Sequence, residues 1–403
     1  MNENNRGTQS KWGEILGAFS VFWIVVTSGG VFLNSKAVIN HVLIFDVVLV
    51  SFLLASIYRK IVRYHLAAVS YFLLLTFVVL LSTIANADFA SLLTYARLVL
   101  VLLLSMVVAL ALDKDKILNI FVKTILFIAA FSVLFFYTGL VEQYAGLLPV
   151  VEFNDNNYVN AFVYLYFDSI ERRNFGIFVE PGLFQIYLNM ALFILVYTKK
   201  QIPYRYAWIG VLLAALFGTN STTGFILALF ICAGYAFSDQ GGKHKAVLIP
   251  VRIAFVSIII GLIVSSEFFT ENLEEKFLLT NRLSFMTRLN STLIDWELVT
   301  RNPIFGVGVG NYQSNINAYD ATGLVIDAAT NTFSQLAALM GFPFIICVVI
   351  SVFYFIVTLK IGQVEKVVLG SMYVVFFSTE PFILYPLFYL PAFMRFNLAR
   401  QRR

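Results

Sequence analysis

The chain has 403 residues, of which 60% are hydrophobic and only 13% charged, with a net charge of +5 at pH 7. Soluble domains carry roughly 25% charged residues, so the composition excludes a water-soluble enzyme, and the small basic excess calls for no nucleic acid because lysines and arginines serve as topology signals. Apolar runs of about 18 residues or more recur along the whole length and are continuous instead of alternating. Backbone groups in lipid must be paired internally, so these runs specify helices, and the fold class is an all-α polytopic membrane protein.

In chain order, the polar opening MNENNRGTQSKWGE leads into an apolar run too long for a secretory leader, which is read as an uncleaved first span. Spans are predicted at 15–33, 40–58, 66–85, 91–112, 117–138, 177–198, 204–218, 223–238, 247–265, 333–359, 367–379 and 382–394, about twelve in all. Residues 204–238 also fit one long kinked helix. The break is placed at GTNSTTG because two helices there keep twenty lysines and arginines on the side of both termini and eight on the other. That bias puts both termini in the cytoplasm. Cys232 and Cys347 fall inside apolar runs as packing residues. Asp46 stands alone as an intramembrane carboxylate, which argues against an ion-coupled transporter.

The chain reads as a single integral membrane domain, 1–403, with two long connections, 139–176 and 266–332, both on the outer side. Loops beyond about 15 residues in a compact protein are usually functional. The first holds FNDNNYVNAFVYLY, whose amides and aromatics, Asn157 and Tyr158 among them, either line a sugar site or form an interfacial aromatic belt. It ends in ERRNFGIFVEPGLFQIYLNM. Pro181 suits the first turn of a helix and places Glu180 at or next to its N-cap. Free N–H groups and the positive dipole end there, with Arg172 and Arg173 just before, suit a phosphate at the membrane surface. The competing reading is that the arginines snorkel to lipid headgroups while Glu180 only caps the helix and pairs with an arginine.

The second long connection contains RLSFMTRLNSTLIDWELVTRNPIFGVGVGNYQ. Residues 281–300 predict an amphipathic helix with Leu283, Met286, Leu289 and Leu293 or Ile294 on its apolar stripe and Arg288 and Asp295 sharing a face. Glycines 306, 308 and 310 lack the strand–helix context and lysine of a nucleotide loop, so they predict a tight turn or a close backbone approach. Further on, Glu380-Pro381 repeats the Glu-Pro step at the outer end of the last hairpin, where it either caps a helix or lines the same site. The outer loops offer no Asp-x-Asp and no His/Cys cluster, so neither a metal nor a cofactor is expected.

Four stretches, RNFGIFVEPGLF, GTNSTTG, RLNSTLIDWELVTRNPIFGVGVGNY and TNTFSQLAALMGFP, occur in this order over roughly residues 170–345. Together they resemble the polysaccharide polymerase and O-antigen ligase superfamily. The resemblance implies a GT-C-type glycosyltransferase acting on the outer face of the cytoplasmic membrane on undecaprenyl-pyrophosphate-linked oligosaccharides. Ligases of that family carry a His before the Asn of the fourth stretch; here Thr330 precedes Asn331. The expectation is therefore a polymerase of O-antigen, capsule or a related surface glycan, metal-independent and inverting. Transfer of the glycan to lipid A-core is the enzyme alternative, and a lipid-linked oligosaccharide flippase the non-enzyme one. Arg173 and Arg288 are assigned to the leaving diphosphate, with Arg172, Arg282 and Arg301 as lesser candidates, and Glu180 is the base or the positioner of Arg173. Asn157, Tyr158, Trp296, Tyr312 and Asn331 are candidates for glycan contact. Membrane lipids and a chain-length regulator complete the expected partners.

Overall fold

The computed structural model describes residues 3–36, 38–64, 66–153, 156–167, 172–198, 202–237, 282–320 and 331–400. The span expected at 247–265, the first part of the second long loop and Thr330 lie outside the described residues.

The chain is mostly helical. Helices α1 (Glu3–Thr27), α2 (Ile39–Tyr64), α3 (Leu66–Ala85), α4 (Leu92–Ala111) and α5 (Lys114–Thr138) form its first third. Four stretches here are long and apolar enough to cross a membrane: Ile39–Ser56, Leu66–Ala85, Phe89–Ala111 and Lys114–Thr138. Their outward faces carry exposed Ile44, Phe52, Leu73, Phe77 and Leu80, a continuous apolar surface that water does not tolerate and lipid does. The architecture is compatible with a helical membrane protein. Shorter apolar helices follow: α6 (Pro181–Tyr197), α7 (Arg205–Gly218) and α8 (Thr222–Phe237). Residues 204–238 are thus two helices, separated at Asn220, whose φ of 54° interrupts the helical path.

The second long connection supplies α9 (Arg282–Arg301) and α10 (Val309–Asp320), and the chain closes with α11 (Thr332–Met340), α12 (Phe342–Thr358), α13 (Gln363–Thr379) and α14 (Pro386–Arg400). The last helix packs against α4 and α12, α8 packs against α6 and α13, and α9 lies on α11. Sequence-distant segments therefore share one core.

Four features depart from the sequence expectation. The span expected at 333–359 is two helices: Gly341 has φ +81°, and Pro343, in the first turn of α12, has no amide hydrogen to continue the ladder from α11. The span expected at 382–394 starts later, at Pro386, because Glu380 to Tyr385 form a turn between two prolines. The fold is not purely helical: 139–176 contains an antiparallel sheet of β1 (Val150–Phe153), β2 (Asn156–Asn160) and β3 (Leu165–Tyr166) in the order β1-β2-β3. Valines 150 and 151 favour the pleat, and Val150 pairs with Val159 and Val151 with Tyr158. Finally, α9 buries Ser291, Ile294, Asp295, Leu298 and Val299: of the expected stripe Ile294 faces the core, Leu289 and Leu293 are exposed, and the side chains of Leu283 and Met286 lie outside the described residues. The inward face of that helix combines apolar Ile294, Leu298 and Val299 with a polar network about Asp295.

Candidate functional site

One end of the helix bundle gathers the chemistry. The segment before α6 is fixed by main-chain pairing with the end of α1: Val31 N–H donates to Ile177 O at 3.1 Å and Val179 N–H to Gly29 O at 2.9 Å. Glu180 then adopts extended backbone as N-cap, and Pro181 is the first helical residue, as the sequence predicts. The Glu180 side chain makes no capping hydrogen bond. It lies within hydrogen-bonding reach of the Glu380 carboxyl, so its side chain faces that group and not the first amides of α6.

Glu380 arrives from the far end of the chain, at the C-terminus of α13, and is 5% exposed. Its main chain is clamped by Thr332, whose hydroxyl donates to the Glu380 carbonyl and accepts from Phe382 N–H at 3.0 Å. Its carboxyl lies over the first turn of α6, where a Cβ on Gly182 would stand 2.1 Å from Glu380 Oε1. Only the smallest residue leaves room for that approach. Burial, above all, holds the Glu380 carboxyl well above the usual carboxylate range; Glu180 adds to the effect, while Arg288 and Arg173 oppose it. Glu180, Glu380, Arg173 and Arg288 therefore occupy one electrostatic neighbourhood.

Arg173 is positioned by the turn between α7 and α8. Its Nε donates to Thr219 O at 3.1 Å and its Nη2 to Asn220 O at 3.2 Å. The neighbouring Asn174 is buried and braces the same turn, its main-chain N–H donating to Gly218 O at 2.7 Å and its Nδ2 to Ser132 Oγ at 3.1 Å. The GTNSTTG stretch thus acts as the seat of Arg173. Arg288 is exposed on α9. That helix is anchored two turns on by Asp295, fully buried, which accepts from Tyr312 OH at 2.8 Å and Ser334 Oγ at 2.6 Å. Burial pushes the Asp295 carboxyl up to about 6 although both hydroxyls favour its ionised form.

The glycine stretch is a structural knot. Val307 N–H donates to Ala338 O at 2.8 Å and Gly308 N–H to Leu339 O at 3.1 Å, while Gly310 N–H donates to Asp88 Oδ2 at 2.7 Å. Burial raises the Asp88 carboxyl, but the Gly310 amide, Ser91 and Tyr95 outweigh it and hold the group below its ordinary value. Those amides are spent on protein partners, in keeping with a tight turn and close approach.

The remaining predicted residues separate clearly. Arg172 is committed elsewhere: its Nε pairs with Glu142 Oε1 at 2.7 Å, its Nη2 donates to Phe136 O, and its guanidinium lies 5.0 Å from the Phe136 ring centroid. Arg301 pairs with Glu297 one turn back on α9. The backbone of Arg282 begins α9, and its side chain lies outside the described residues. Tyr158 is buried between Phe167 and Phe175, with Glu180 near enough to add to the burial that raises its phenol. Tyr312 is the strut on Asp295, and Asn331 caps α11 by accepting from Phe333 N–H at 2.9 Å and Ser334 N–H at 3.3 Å. Asn157 and Trp296 are exposed, the indole tilted against Phe342 at 6.1 Å.

Sequence reasoning missed Thr332 and Gly182 as the clamp and the floor beneath Glu380; the only signal was the repeated Glu-Pro step. A cleft of about 30 Å³ lies between the two steps, lined by Val179, Glu180, Leu183, Glu380, Pro381 and Tyr385. It is large enough for one water or hydroxyl. A much larger apolar cavity, about 480 Å³, is lined by residues from Tyr187 and Phe382 near this end to Lys114 and Lys360 at the other. Among the described residues no group of three His, Cys, Asp or Glu is placed to hold a metal ion. The chain matches no protein-family model and no curated protein.

Proposed function

We propose that the protein is a glycosyltransferase that polymerises undecaprenyl-pyrophosphate-linked oligosaccharide units into a surface polysaccharide, an integral membrane enzyme of about twelve spans and GT-C type with both termini cytoplasmic and its site on the outer face. The observation that carries this reading is that Arg173 and Arg288, 115 residues apart in sequence, both act electrostatically on the buried Glu380 carboxyl beside the N-terminus of α6. Guanidinium groups and a helix N-terminus stabilise a diphosphate as it gains charge. A carboxylate in the same neighbourhood removes the proton from an attacking hydroxyl. Direct displacement at the anomeric carbon inverts it. The apolar cavity that begins beside Phe382 suits a stretch of polyprenyl chain.

The test is a polymer ladder made in vitro by the purified full-length protein from a matched lipid-linked repeat unit. Arg173→Ala and Arg288→Ala are each expected to slow it about 100-fold or more, the usual effect of removing one charge-stabilising donor. Transfer of a single glycan to a lipid A-core acceptor, with no ladder, refutes polymerisation in favour of ligation. A ladder that both variants make at the wild-type rate refutes the site.

A further inference from the structure

We propose that Glu180 and Glu380 work as one base holding a single proton, in which Glu380 is the protonated member that fixes Glu180 and the pair as a whole accepts the proton of the attacking hydroxyl; the reaction assigned to the pair rests on the polymerase reading above. The geometry carries it. The two carboxyls lie within hydrogen-bonding reach of each other, and an ionised carboxyl has no hydrogen to donate. The contact therefore needs at least one proton on the pair, and two ionised carboxylates could not make it. Glu380 is 5% exposed and Glu180 is exposed, so the proton resides on Glu380, where an ion would be most costly, and the negative charge on Glu180. The Thr332 clamp and the bare face of Gly182 hold Glu380 in register for this bond. Both carboxyls line the cleft of about 30 Å³, into which one hydroxyl fits.

The charged and titratable groups facing the pair are Arg173 from the segment before α6, Arg288 from α9, and the phenols Tyr158, Tyr187 and Tyr385. In the reaction the acceptor oxygen bonds to the anomeric carbon. The bond from that carbon to the diphosphate oxygen breaks, and its electron pair stays on the phosphate. The acceptor proton moves to Glu180. The pair passes from one negative charge to none as the leaving group passes from two to three, so the two arginines exchange one anion for another with no change in total charge.

The experiment has two readouts on the full-length protein. Difference infrared spectroscopy in water and deuterium oxide at neutral pH reads the carbonyl stretch of a protonated carboxyl. The band is expected in wild type, absent in Glu380→Gln and retained in Glu180→Gln. The polymer-ladder rate is expected to fall less than about tenfold in Glu380→Gln, whose amide still donates to Glu180, and about 100-fold or more in both Glu180→Gln and Glu380→Leu. Absence of the band in wild type, its survival in Glu380→Gln, or equal loss of rate in the two glutamine variants overturns the proposal. The expected band pattern in a protein that makes no ladder supports the shared proton and overturns only the reaction assigned to it.

Discussion

Replacing Gly306 by alanine should unseat the knot that joins the outer helices to the bundle. Gly306 has φ +65°, a left-handed conformation that costs an L-residue about 1–2 kcal/mol. Its Cβ would lie 2.4 Å from the carbonyl carbon of Leu339 and 2.5 Å from its oxygen, with Ala338 O at 2.6 Å. These are main-chain atoms, so α11 or the turn has to move by about 1 Å to reach ordinary contact. Movement on that scale breaks the 2.8 Å and 3.1 Å bonds from Val307 and Gly308 to the same two carbonyls. Losing them adds about 1 kcal/mol each, for a total near 3–4 kcal/mol. Thermal unfolding of the full-length protein in detergent should show a clear drop for Gly306→Ala and none for Gly146→Ala, whose Cβ meets nothing within 4 Å. An unchanged transition for Gly306→Ala together with weakened substrate binding would refute the reasoning and make the stretch a phosphate cradle.

Gly182→Ala should push the Glu380 carboxyl aside, since its Oε1 stands 2.1 Å from the new carbon; the ladder rate is expected to fall about 100-fold, as for other misplacements of about 1 Å, and a wild-type rate would show the contact to be dispensable. Asp295 predicts a pH dependence of stability. Its folded carboxyl keeps a proton up to about pH 6 against an ordinary value of 3.8. Its contribution is therefore fully present below about pH 4 and is lost as pH rises through 6, by about 3 kcal/mol. Melting curves of Asp295→Asn should lack the component of decline over that window that wild type carries. Arg301→Ala, which removes an exposed pair one helical turn long, should leave both the melting transition and the ladder unchanged, since exposed pairs are screened by solvent; a large loss of activity would return Arg301 to the proposed diphosphate site.

The parts of this molecule that were legible in the sequence are those governed by local rules. Pro181 and Glu180 mark the start of α6, the glycine spacing marks a close approach, and GTNSTTG marks a break between helices. Each depends on a few adjacent residues, and each appears where expected. What was illegible depends on tertiary partners. Arg172 and Arg173 are neighbours with identical side chains, and only the positions of Glu142 and Thr219 assign one to an ion pair and the other to the turn beside the carboxyls. Tyr312 and Asn331 look like sugar contacts until Asp295 and the first amides of α11 claim them. On α9 the apolar periodicity found Ile294 but not its neighbour, the buried Asp295 with two hydroxyl partners, which faces the core while Leu289 and Leu293 stay exposed. The short sheet escaped notice because two valines beside polar residues give too weak an alternation to register within a helical chain.

The interlocking of the two chain ends has a consequence for how the protein is made. Ser28, at the end of the first helix, receives Tyr187 OH at 2.7 Å on its carbonyl and Leu387 N–H at 3.1 Å on its hydroxyl. Glu380 follows Glu180 by 200 residues. At about 5–20 residues per second, the ribosome needs roughly 10–40 s to supply the second carboxyl after the first. Throughout that interval the nascent chain holds Glu180 and Arg173 without the buried partner, and its first helix waits for the strap formed by its last. The carboxyl pair becomes complete only when the final hairpin docks, so under the proposed mechanism a chain that stops before Glu380 makes no ladder.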